Sequence, residues 1–299
     1  GEKFSTSMFT QLDKLFSLAA SKVTSKTQLI VAPETAISSS VDEDGFGRSG
    51  VYQFIEQARA ELNNAILYTG ASTYLFSEDK ISNASMKLDG GPGYIEHYNS
   101  SIMIADSNQY EIIHKSKLVP GVEKIPFAKH FKFLEDLSID LGGTTGTLGV
   151  EKEPRIFQTK EFNFAPVVCY ESIFGEFVAI QCRKGAELIC IATNDGWWKD
   201  TPGYKQHTSF ASLRAIENRR EVVRSANTGI SCFIDQKGVI RKSTKWWVPD
   251  VIKSNVYLNK EISFYTKYGN VMGRSFSFVA VLLLLFTLVK RFKKLVGKV

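Results

Sequence analysis

Short apolar runs alternate along this chain with stretches whose apolar positions recur every third or fourth residue, so strand follows helix from one end to the other. The first periodic stretch places Met8, Leu12, Leu15, Phe16, Ala19 and Val23 on one helical face. A strand over 29–32 stops at Pro33, a helix covers 51–63, and strands follow over 65–71, 98–105 and 110–114. After the apolar run Phe164-Ala165-Pro166-Val167-Val168 the pattern gives a helix over 174–184 closed by Gly185, a strand over 188–192 and a helix over 207–219. Strands over 221–225, 231–235 and 239–242 complete it, the last two joined by a turn at Gln236-Lys237-Gly238. No internal repeat is evident, and the alternation excludes an all-helical or all-β domain, leaving the α/β class.

The last segment breaks the pattern. Residues 275–289 carry no charge, and Lys290, Arg291, Lys293, Lys294 and Lys298 follow with no acid among them. An amphipathic core helix keeps a polar face; this run has none, so a membrane helix over 271–290 is expected, with a basic tail over 291–299. Cations stay on the cytoplasmic side, which puts residues 1–265, read as one catalytic domain, on the outer face. These five cations account for most of the net charge of +6, so the rest of the chain is nearly neutral and offers no basic stripe for nucleic acid.

At 299 residues and 43% hydrophobic content the chain can hold one large core. Cys169, Cys182, Cys190 and Cys232 are too few and too scattered for a disulfide framework, and neither they nor the histidines have metal-site spacing, so no metal or cofactor is expected. Cys182, Cys190 and Cys232 lie in apolar runs and read as packing. The glycine-rich stretches 90–93 and 142–149 lack the features of a phosphate loop and read as mobile surface loops. Asn83-Ala84-Ser85 and Asn99-Ser100-Ser101 match a glycosylation pattern that arises often by chance. The paired indoles Trp197-Trp198 and Trp246-Trp247 fall in loops, where a bilayer interface and ordinary core packing suit them about equally.

Three strand ends carry chemistry. The strand over 29–32 delivers Glu34, the one over 110–114 delivers Lys115, and the run at 164–168 delivers Cys169 before a polar turn. Alone, each has a plain reading: a solvated charge for the first two, a small buried hydrophobe for the thiol. Together they supply a base, a cation for a developing oxyanion, and a nucleophile that must lose a proton.

In this order the residues resemble the nitrilase superfamily and, within it, the apolipoprotein N-acyltransferase family. The resemblance rests on Pro33-Glu34-Thr35-Ala36, on His114-Lys115 with Leu118-Val119-Pro120, and on Val168-Cys169-Tyr170-Glu171. Thr193-Asn194-Asp195-Gly196-Trp197, Gln206-His207, Arg214-Ala215-Ile216-Glu217 and Asn227-Thr228-Gly229-Ile230 follow in the family order. Pro120-Gly121-Val122-Glu123 departs from the usual Pro-Phe-Gly-Glu, and Lys117 replaces a frequent histidine. The resemblance implies a nitrilase-like α-β-β-α sandwich, with Glu34, Lys115 and Cys169 catalytic and Glu123, Tyr170 and Glu171 supporting. It implies a phospholipid acyl donor, a diacylglyceryl apolipoprotein acceptor, a thioester intermediate, and a monomer at the bilayer of a bacterial inner membrane, facing the periplasm. It further implies a preceding strand and a multi-helix membrane domain, making this chain the carboxy-terminal piece of a longer protein. A membrane-anchored amidase acting on a small C–N substrate is the alternative; a non-catalytic anchored module is the third reading.

Overall fold

The computed structural model describes residues 7–106, 109–124 and 147–296, with side chains through 293. Gly142, Gly143 and Gly146 of the second glycine-rich stretch, and Lys298 of the basic tail, lie outside the described residues.

Two six-stranded sheets form the centre. The first holds β1 (Leu29–Val31), β2 (Ile37–Asp42), β3 (Ile66–Ser77), β4 (Met86–Lys87), β5 (Tyr94–Asp106) and β6 (Gln109–His114). β1 and β2 pair in parallel with successive stretches of β3, so together they act as one interrupted edge strand. β5 runs antiparallel to β3 from Leu67↔Ile104 to Ser77↔Tyr94, and carries β4 and β6 beside it. The second sheet holds β7 (Phe157–Gln158), β8 (Asn163–Val168), β9 (Leu188–Asn194), β10 (Val222–Asn227), β11 (Cys232–Ile234) and β12 (Ile240–Ser243), in spatial order 12-11-10-9-8-7. Its central three strands, β8, β9 and β10, are parallel.

Strand alternation sorts side chains into three layers. From β1, Ile30 joins Leu12, Phe16 and Ile55 of α1 (Met8–Ala20) and α2 (Gly50–Glu61), whereas Leu29 and Val31 face the other sheet. From β9, Ile189 and Ile191 pack under α3 (Gly175–Arg183) and α4 (Gly203–Asn218), whereas Leu188, Cys190 and Ala192 point between the sheets. Tyr68 of β3 meets Phe157 and Phe164 of the second sheet with ring centroids 6.0 and 5.5 Å apart, which ties the sheets together. The result is the expected α-β-β-α sandwich. Cys182, Cys190 and Cys232 are fully buried in these layers, in keeping with their reading as packing.

A short α5 (Phe264–Tyr268) leads into α6 (Val271–Val296). Within α6 the stretch Val271–Lys293 is long and apolar enough to cross a membrane, and none of its central window is buried. Its helix continues through Lys290, Arg291, Lys293 and Lys294.

Three strands escape the hydrophobic pattern. β2 contains Ser38-Ser39-Ser40, β4 and β7 are two residues each, and all are held by their neighbours rather than by their own composition. β3 and β5 extend well beyond their apolar runs because each completes the other's ladder. One loop expectation is corrected. Leu148 and Gly149 are buried rather than mobile at the surface: Leu148 N–H donates to Glu123 O at 3.1 Å, and a Cβ on Gly149 would meet the Tyr98 ring at 2.2 Å. Trp246 stacks on Tyr204 at 5.3 Å, whereas Trp197, Trp198 and Trp247 remain exposed, so the indoles divide between packing and surface.

Phe164 is fully buried among Tyr68, Phe157 and Phe162. Phe164→Ala should therefore cost about 3–5 kcal/mol, because the two facing sheets cannot collapse around the void. Phe76, half exposed, should tolerate alanine within about 0.5 kcal/mol. Urea unfolding of both variants checks the contrast, and equal losses would contradict the layer assignment.

Candidate active site

β1 ends after Val31, and the chain turns at Glu34-Thr35 before β2 resumes the edge. Thr35 has φ 48°, a left-handed conformation uncommon for a residue with a side chain. The turn lies against Gly70, where a Cβ would stand 2.7 Å from Glu34 Cα, so only glycine lets β3 approach this closely. Lys115 follows β6 directly, its N–H donating to Asn99 O at 2.8 Å. Cys169 follows β8 with φ 48°, a conformation that costs about 1–3 kcal/mol and persists only where the surroundings impose it. Three strand ends from two sheets thus converge on one rim, where an α/β layer fold gathers its chemistry.

Lys115 is 1% exposed, and its Nζ donates to Glu123 Oε1 at 2.8 Å and to Glu34 Oε1 at 3.3 Å. Asn99 Nδ2 donates to the same two oxygens, at 2.8 and 2.9 Å. Val119 N–H donates to Glu123 Oε2 at 2.8 Å, which fixes the carboxylate that the departure at Gly121-Val122 put in question. Burial alone would lower the Lys115 pKa, yet the two carboxylates raise it well above the usual lysine range. Glu123 shows the reverse: burial works against its charge, but Lys115 and the N–H donors hold it below the usual carboxylate range.

Glu34 Oε2 is buried and has no hydrogen-bond partner among the described residues. The Cys169 thiol is pushed up to about 12, first by burial and then by the Glu34 charge, against Lys115, the Thr193 hydroxyl and the Asn194 N–H. It rests as a thiol at neutral pH, within the field of the Glu34 charge.

Glu171 acts as a strut. Oε1 accepts from Ser116 N–H at 2.6 Å and Lys117 N–H at 3.1 Å, and Oε2 accepts from Val168 N–H at 2.9 Å, so one side chain joins the lysine loop to the nucleophile turn. Burial pushes its carboxyl up to about 7 despite these donors. Of the residues singled out from the sequence, Glu34, Lys115, Glu123, Glu171 and Cys169 come together. The Tyr170 side chain turns away to meet the Phe174 ring edge-on at 5.1 Å. Asn99, dismissed as a chance glycosylation match, is 6% exposed and bridges two site carboxylates. Its signal is weak: one of three successive polar residues, with Ser100 and Ser101, in a strand buried without a break from Tyr98 to Ile104.

The two stacked mixed sheets between helix layers are a nitrilase-like architecture. An amidase from Nesterenkonia sp. aligns with a TM-score of 0.53 at 14% identity, over 90% of this chain and 91% of that one. The carbon-nitrogen hydrolase family model matches residues 5–264, and the chain belongs to that family of enzymes. Among curated relatives, an apolipoprotein N-acyltransferase of Chlorobaculum tepidum is 30% identical over 87% of this chain and 49% of its own length. One from Geobacter metallireducens is 35% identical over 53% of this chain and 30% of its own. The chain thus spans about half the length of the first of these relatives, and less of the second.

Removing the cation should expose what it neutralises. Lys115→Met leaves Glu34 and Glu123 buried without a counter-charge, and should lower stability by about 3–5 kcal/mol at neutral pH. In the wild type the depressed Glu123 contributes stability at neutral pH that is lost as pH falls through its folded value; in the variant buried Glu123, left without its cation, gains by taking up a proton. The gap between the two proteins should therefore narrow toward about pH 4.5. Urea unfolding at both pH values checks this, and equal stability at neutral pH would contradict a charged Lys115.

Proposed function

We propose that the chain is the catalytic part of an N-acyltransferase that moves an acyl group from a membrane phospholipid to the α-amine of a diacylglyceryl-cysteine at an apolipoprotein's amino terminus. The observation that carries this reading is the unpartnered, buried Oε2 of Glu34 beside a thiol that burial keeps protonated. Glu34 takes the Cys169 proton as Sγ attacks the ester carbonyl. Lys115 and the Tyr170 N–H hold the negative charge that develops on the carbonyl oxygen. The C–O bond breaks, the alcohol of the lysophospholipid leaves with the proton from Glu34, and a thioester remains on Cys169. The acceptor amine attacks that thioester, Glu34 takes the amine's proton, and the amide forms as the thiol is restored. Two steps are needed because an amine attacks a thioester readily and an ordinary ester sluggishly.

Glu123 and Asn99 hold Lys115 and Glu34 in register, and Glu171 holds the lysine loop against the nucleophile turn. The names of the curated relatives support N-acylation of an apolipoprotein. The unburied apolar length of α6 supports a membrane anchor directly after the domain. Residues 1–265 are the catalytic unit, 271–290 span the inner membrane, and the cations of 291–299 keep that end cytoplasmic, so Cys169 faces the periplasm. The exposed Trp197, Trp198 and Trp247 suit a bilayer surface. The chain acts as a monomer on two lipid substrates.

Incubation with a phospholipid carrying labelled acyl chains and a synthetic diacylated lipopeptide tests the reading. The lipopeptide should gain one labelled acyl chain, and Cys169→Ala should abolish the gain. Label released as free fatty acid with no gain on the lipopeptide would favour hydrolysis over transfer and sink the acyltransferase reading.

A further inference from the structure

Behind the nucleophile turn lies a second buried polar cluster that the acyl-transfer steps do not use. Asp195 begins the 3-10 turn after β9, His207 lies on α4 and Arg224 on β10, and none is more than 5% exposed. Arg224 Nη2 donates to Asp195 Oδ1 and Oδ2 at 3.0 and 2.8 Å, and His207 Nδ1 stands 2.9 Å from Oδ1. Burial alone would push the Asp195 carboxyl up, but His207 and Arg224 hold it below the usual carboxylate range. The other ring nitrogen, His207 Nε2, is 3.1 Å from the Cys169 carbonyl oxygen and 3.0 Å from Ser172 Oγ. Ser172 Oγ itself donates to that carbonyl at 2.7 Å. A carbonyl can only accept, so in a hydrogen bond between Nε2 and this oxygen the ring nitrogen is the donor.

We infer that His207, braced by Asp195, is a positioning residue for the oxyanion site: with Ser172 it fixes the Cys169–Tyr170 peptide plane and so aims the Tyr170 N–H. The carbonyl of Cys169 and the N–H of Tyr170 belong to one rigid unit, so pinning the oxygen sets the direction of the donor. The sheet ladder does not do this, because the β8–β9 pairing ends at Val168 and Cys169 leaves the strand at φ 48° into the 3-10 turn Cys169–Ile173. Donors on the carbonyl also polarise the amide and strengthen its N–H as a donor. The inference rests on the reading of Cys169 as nucleophile and of the Tyr170 N–H as oxyanion donor.

Glutamine at 207 can carry an amide to the place of Nε2, whereas asparagine reaches only the place of Nδ1. The test uses the full chain in detergent with two probes, p-nitrophenyl butyrate and iodoacetamide, each followed by mass at Cys169. Acylation passes through an oxyanion; alkylation does not. His207→Asn should slow acylation by about 10²–10³-fold, the usual loss of one oxyanion donor, and leave alkylation within about 3-fold. His207→Gln should recover at least about 10-fold of that loss, which a merely space-filling role would not give. Ser172→Ala, which removes the other donor to the carbonyl, should slow acylation about 10-fold with alkylation unchanged. Acylation of His207→Asn at the wild-type rate, or equal losses in both reactions, overturns the inference. Should His207→Asn not fold, Ser172→Ala decides, and wild-type acylation by that variant also overturns it. A wild type that is not acylated on Cys169 removes the acyl-transfer reading and this inference with it; an acylated wild type with unaffected variants removes this inference alone.

Discussion

A lysine ammonium cannot stay charged at 1% exposure without opposite charge in contact, and this constraint organises the site around Lys115. Glu34 and Glu123 supply that charge from separate segments, and Asn99 spans both carboxylates so that neither can swing away. Each partner has its own anchor. Glu34 sits on the break between β1 and β2, admitted by the missing Cβ of Gly70, while Glu123 is pinned by Val119 N–H. The edge of the first sheet is interrupted over the residues that carry Glu34.

The second sheet contributes the thiol and its backing. Cys169 is held in a left-handed turn at the end of β8, Glu171 joins that turn to the lysine loop, and the Asp195–His207 pair closes it from behind. The thiol and the lysine therefore arrive on different sheets and are locked by backbone hydrogen bonds, not by the flexible side chains alone. Such preorganisation fits the two-step transfer proposed above, in which the same groups serve an ester and then an amine. The bilayer explains the rest of the chain under the proposed function: α6 follows the domain with no apolar partner in its central window, and lipid substrates need an active site beside their membrane.

Much of this was legible in the residues. Strand–helix alternation predicts the layers, because most strands bury alternate residues on opposite faces, as Leu188 to Ala192 do. Glu34, Lys115 and Cys169 stand out because each follows an apolar run that ends abruptly. Asn99 and Gly70 did not stand out, and His207 stood only in a motif of the resemblance with no role attached, since each matters through a contact made far along the chain: Asn99 with Glu34, Gly70 with the same turn, His207 with Cys169 O. β2 was hidden for a related reason: its serines carry no strand signal, and its parallel register with β3 comes from the sheet. Local pattern shows what a segment can form; it does not show which distant backbone will lie against it.

The central claim is that Glu34 deprotonates Cys169 for attack on a phospholipid ester. Its most direct test is the intact mass of the detergent-purified protein after exposure to phospholipid alone, with no acceptor amine present. The account predicts a single acyl adduct that maps to Cys169 in the wild type and is absent from Glu34→Gln at equal folded yield. An adduct on Cys182, Cys190 or Cys232, or one that forms on Cys169 as fast without the Glu34 carboxylate, would contradict it.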